Sequence, residues 1–81
     1  MQVRLTRRAV LDLKDHRSVI ASDSTDQADR WVEGIRLLME SLGSHSERFP
    51  LDDDYRDLEV RRVPFHSHRI YYKVMGGEVV V

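Results

Sequence analysis

HRIYYKVMGGEVVV, residues 68–81, reads as a β-hairpin. His68 to Met75 forms one strand, Gly76-Gly77 the turn and Glu78 to Val81 the return strand. Two glycines between β-rich runs suit a two-residue turn, because both central positions can take positive φ without a Cβ clash. Alternation along the strand puts Ile70, Tyr72 and Val74 on one face and Arg69, Tyr71 and Lys73 on the other. The first set is expected to close a core, with the Tyr72 hydroxyl reaching its edge. The second is expected to face solvent, phosphate or a partner.

Upstream, LEVRRV (Leu58 to Val63) is a further strand, and PFHS (residues 64–67), led by Pro64, is read as a turn. GSHSERFPLDDDYRD (residues 43–57) is a loop, and its three adjacent carboxylates Asp52, Asp53 and Asp54 are read as solvated. At the other end QVRL (Gln2 to Leu5) alternates polar and apolar as a short strand does. Thr6 caps a first helix over Arg7 to Ala21, and Ser24-x-x-Gln27 fits a capping box opening a second helix over Thr25 to Leu42. Ala28, Trp31, Val32, Ile35, Leu38, Met39 and Leu42 recur at helical period, so Trp31 is read as packing. Gly43 is the stop signal, and Gly34 is expected to admit close approach of the first helix. The order β-α-α-β-β-β predicts an α+β fold. A helical hairpin packs on one face of a small sheet with an antiparallel C-terminal meander. Residues 1–81 are expected to form one domain.

A chain of 81 residues buries a modest share of its surface, so a partner that completes its core weighs more than usual. Net charge is −1, from 13 basic and 14 acidic residues, which argues against strong non-specific nucleic-acid binding. Locally, Glu59 to Lys73 holds one acid against four Lys/Arg and two histidines. With no cysteine, disulfides, thiol catalysis and thiolate metal sites are excluded. No apolar run reaches the length of a membrane span, and MQVRLTRRAV has no signal-peptide core, so the cytoplasm is the expected location, with no membrane partner.

Three pieces in this order resemble the RelE/ParE superfamily of type II toxin–antitoxin toxins. AVLDL (Ala9 to Leu13) is similar to the family's A-x-x-DL, and the second helix runs through Leu42 into a loop with Pro50. HRIYYKVMGGEVVV is similar to Y-R-I-x-Y-x-V, a short turn and a β-branched strand, with His68 where the family's first tyrosine stands. The resemblance implies the fold above, an antitoxin partner that wraps the toxin, and one of two activities. The ParE branch poisons DNA gyrase; the RelE branch cuts mRNA in the ribosome. In the RelE branch the arginine matched by Arg69 contacts the cut phosphate, and Arg62 falls near a second basic position, while Val60 stands at another. The strand begun at Glu78 continues in the family to a basic residue, and a later segment often carries a tyrosine. Neither lies within residues 1–81. If residue 81 is the native end, a RelE-type site is incomplete; if the gene is longer, this is a fragment. Both stay open.

The residues themselves are weighed in the same light. Arg61, Arg62, Arg69, Tyr71 and Lys73 are candidates for contact with a target or partner, against a plain solvated face. His66 and His68, as H-x-H on one strand face, would replace lost acid–base groups in a nuclease, so its catalytic set would be Arg62, Arg69, His66 and His68. With no third ligand at hand, the two histidines are read as solvent-facing and no metal site is assigned. No phosphate loop or cofactor motif is present, and no cofactor is expected. The leading expectation is a ParE-like gyrase poison. The alternatives are a RelE-like endoribonuclease, and an inactive relative that only binds antitoxin. The short return strand is expected to leave a sheet edge open to strand addition, and an antitoxin segment is expected to cover this part of the sheet or the helical hairpin.

Overall fold

The computed structural model describes residues 1–66 and 68–81. Strand β1 spans Gln2–Arg4, helix α1 Arg7–Asp23 and helix α2 Thr25–Ser44. A short 3₁₀ helix follows at Asp53–Leu58, then β2 Arg61–Phe65, β3 His68–Met75 and β4 Glu78–Val80. The element order and α+β class are those expected.

Local chemistry sets both helix starts. Thr6 accepts the Ala9 amide at 3.1 Å and Ser24 accepts the Gln27 amide at 3.2 Å, each satisfying a donor of the first helical turn. α2 runs past Leu42 and through Gly43, the expected stop, to Ser44, where His45 caps it by donating its amide to the Ser41 carbonyl. Gly76 and Gly77 take φ of 55° and 79°, the positive values that the β3–β4 turn requires.

The sheet runs in the order β1-β4-β3-β2. β2, β3 and β4 form the antiparallel meander, whereas β1 joins β4 in parallel, Val3 opposite Val79. Thr6 and Val81 lock the two chain ends, the Thr6 amide donating to Val81 O at 3.1 Å and the Val81 amide to Arg4 O at 2.9 Å. Leu42 of α2 packs with Val63, Tyr72 and Val79 at the centre of the core, joined by Leu38, Met39, Ile70 and Val74. The expected inner face of β3 is therefore correct. α2 lies directly on the sheet and α1 packs chiefly on α2, burying no residue fully.

Several expectations need correction. The strand placed over Leu58 to Val63 begins three residues later, because Leu58 closes the 3₁₀ helix. Pro64 does not lead a turn: it pairs with Arg69 inside β2. β2 is an edge strand, where a missing N–H costs no ladder bond if it faces outward. The turn falls on His66, whose φ is 54°; Ser67, the other turn residue expected, lies outside the described residues. Gly34 does not face α1. A Cβ there would meet the Phe65 ring at 3.0 Å, so the close approach is between α2 and β2.

Candidate functional site

Strand register decides which side chains share the face of the sheet turned away from the helices. Arg62 stands opposite Tyr71, and Pro64 opposite Arg69. Lys73, two residues beyond Tyr71, stands opposite Val80, which in turn faces Arg4 across β4. Four sequence candidates, Arg62, Arg69, Tyr71 and Lys73, are thus brought onto one face. Arg69 and Tyr71 are exposed; Arg62 and Lys73 are half-buried. Among the described residues Arg69 and Lys73 enter no ion pair, while Arg4 is engaged by Glu78 at 2.9 Å. Two free cations beside an exposed phenol can hold a phosphate or a carboxylate of a partner.

The 3₁₀ helix borders this face and supplies two residues that sequence reasoning missed. Tyr55 meets Tyr71 edge-to-face with centroids 6.3 Å apart. Asp52, only 2% exposed, accepts the Asp54 amide through Oδ1 at 2.9 Å and holds the Arg62 guanidinium through Oδ2 at 3.5 Å. Asp52 was expected to be solvated with its neighbours. The signal for its role is the carboxylate two residues ahead of a capped amide, a pattern that caps short helices.

The remaining candidates lie elsewhere. Arg61 faces the helix side of β2, opposite Tyr72, and its guanidinium donates to the Phe49 carbonyl at 2.7 Å and the Glu47 carbonyl at 3.5 Å. It fastens the loop before β2 and does not join Arg69. His66 and His68 do not share a strand face, because His66 is in the turn, edge-on to Phe65. His68 turns toward the helices, its ring 4.0 Å from that of His16. Neither imidazole is on the face of Arg69. Among the described residues no group of three His, Asp or Glu is placed to hold a metal.

Between α1 and β3 runs a groove of about 250 Å³, its apolar floor built from Leu5, Leu13, Trp31, Ile35, Phe65 and Ile70. Trp31 is buried and packs edge-on to Phe65, as its place in the stripe implied. The open edge foreseen for the return strand is not on β4, which is flanked by β1 and β3. It is on β3: among the described residues, β4 pairs with Lys73, Val74 and Met75, and no strand pairs with His68 to Tyr71 on that side. On the opposite edge of the sheet, β2 is capped by the Arg62 amide donating to the Pro50 carbonyl and by the proline at 64.

The family model for the ParE toxin of type II toxin–antitoxin systems, parDE, matches residues 3–81, nearly the whole of this fold. The chain belongs to the ParE toxin family. Membership in a type II toxin–antitoxin family implies a cognate antitoxin. No curated protein matches the chain. Among the described residues of this ParE toxin, no helix is long and apolar enough to cross a membrane.

Proposed function

We propose that this ParE toxin acts by binding DNA gyrase through the outer sheet face, using Arg62, Arg69, Tyr71 and Lys73, and that gyrase itself performs the DNA cleavage. The observation that carries this reading is the separation of groups a nuclease would need together. RNA cleavage without metal needs a base, an acid and charge stabilisation around one phosphate. Arg62, Arg69 and Tyr71 are on the outer face, but His66 and His68 are not, and Arg61 is committed to a loop. A face of free cations and exposed aromatics suits a protein or protein–DNA surface better than bond cleavage.

The antitoxin is proposed to lay an extended segment along the unpaired edge of β3, its side chains entering the groove against α1. Backbone bonds to His68–Tyr71 would supply affinity and the apolar floor would supply specificity.

Induction of the toxin without its antitoxin tests the reading in cells. The expected result is accumulation of double-strand breaks with gyrase covalently attached, and uncut mRNA. Codon-specific cuts in translated mRNA without gyrase-linked breaks would overturn it in favour of the ribosome. Normal growth with neither would leave a protein that keeps only the antitoxin contact. For the antitoxin site, hydrogen exchange at the amides of His68 to Tyr71 is expected to slow in the complex; unchanged exchange there would place the antitoxin elsewhere.

A further inference from the structure

Two of the four histidines, His16 of α1 and His68 of β3, meet across the groove, ring centroids 4.0 Å apart and planes inclined by 41°. Trp31 of α2 stands edge-on to His16 at 6.1 Å. We propose that the His16–His68 contact is a pH-sensitive latch that holds α1 against β3 when the rings are neutral and releases it when both are protonated.

The geometry gives the latch its leverage. α1 buries no residue fully and rests chiefly on α2, so little apolar packing resists its displacement from the sheet. Neutral imidazoles in contact attract; two imidazoliums in contact repel, and the half-buried setting of both rings weakens solvent screening. The surrounding charges do not relieve that repulsion. On α1, Asp12 lies one turn before His16 but is paired with Arg8 at 3.3 Å. From α2 the facing charge is Arg30 and from the hairpin turn His66, whereas Arg69 of β3 points to the opposite face of the sheet. Apart from Asp12, which Arg8 engages, the facing groups are basic. Histidine changes charge between about pH 5 and 8, so acidification drives the change. Release would widen the groove at its His68 end. The bearing of this on antitoxin binding rests on the reading above; the latch itself does not.

The test uses the intact chain and needs neither gyrase nor antitoxin. Emission of Trp31, the one tryptophan, and the urea midpoint are followed from pH 8 to pH 5 in the parent, in His16→Gln, in His68→Gln and in His45→Gln. His45, at the exposed end of α2, is the control. In the parent the unfolding constant is expected to rise by roughly tenfold more than in either latch variant, a fraction of the contact repulsion between unit charges. His16→Gln and His68→Gln should each remove most of the acid change in Trp31 emission, and His45→Gln should leave it. Retention of the parent's profile by either latch variant, or a flat profile in the parent, overturns the proposal. Should a glutamine variant not fold, the ring protons of His16 and His68 in the parent decide by NMR. Mutually dependent, two-step titration supports the latch, and independent titration contradicts it.

Discussion

Tyr72 is 1% exposed, yet its hydroxyl donates to the Ser46 carbonyl at 2.8 Å. Burial pushes that hydroxyl above the usual phenol range, against the Phe49 backbone and the Arg61 charge, which pull it down. The folded value is raised, so the stabilisation is present below the unfolded value of about 10 and is lost as pH climbs through the folded one. Tyr72→Phe is expected to cost about 0.5–1.5 kcal/mol at neutral pH and to flatten the alkaline loss. Urea denaturation at several pH values checks both. At Asp52 the buried carboxylate serves the Asp54 amide and Arg62 together, so Asp52→Ala should cost about 1–3 kcal/mol and free Arg62. Thermal unfolding reads the cost. At this scale the sequence was half legible. Alternation along β3 placed Arg69, Tyr71 and Lys73 correctly, but nothing in RRVPF told Arg61 from Arg62. Their opposite roles follow from register against β3, a contact between strands that the local pattern does not carry.

The elements whose signals are local were readable: both N-caps, the Gly76-Gly77 turn and the helix α2 stripe, apart from Val32, which is exposed. The boundary of β2 was not, because Pro64 speaks for a turn unless the strand is known to be an edge. The 3₁₀ helix hid in an acidic run for the same reason, since its cap becomes evident only once Asp52 is seen buried. Gly43, read as a stop signal, lies within the last turn of α2 and marks a contact between elements. A Cβ there would come within 2.8 Å of the Met1 carbonyl and 3.3 Å of the Val3 side chain. The Met1 amino group also donates to the Gly43 carbonyl at 2.6 Å. Gly43→Ala is therefore expected to destabilise by about 1–3 kcal/mol through displacement of β1 from α2, despite alanine's better helix propensity. Amide exchange in β1 should quicken in that variant, whereas a uniform change across the sheet would argue for another cause.

For the whole molecule, the parallel pairing of β1 with β4 joins residues at opposite ends of the chain, and no local pattern announces it. It closes β4 on both sides, and among the described residues no strand pairs with His68 to Tyr71 on the β4 side, beside the apolar groove. Two surfaces result: a cationic, aromatic outer face, and a groove with an unpaired strand edge. The first is the surface proposed for the target and the second the one proposed for the antitoxin. Arg69→Ala, at an exposed residue without an ion pair among the described residues, is expected to weaken target inhibition by about tenfold or more with stability unchanged within about 0.5 kcal/mol. Arg61→Ala should instead lower stability, because the Phe49 carbonyl loses its donor. Dose–response curves beside urea midpoints for the two variants separate the roles. The most direct measurement is a plasmid supercoiling assay with purified gyrase and the 81-residue chain, with and without antitoxin. Loss of supercoiling with accumulation of cleaved plasmid, relieved by antitoxin, is expected; full supercoiling at excess toxin would contradict gyrase as the target.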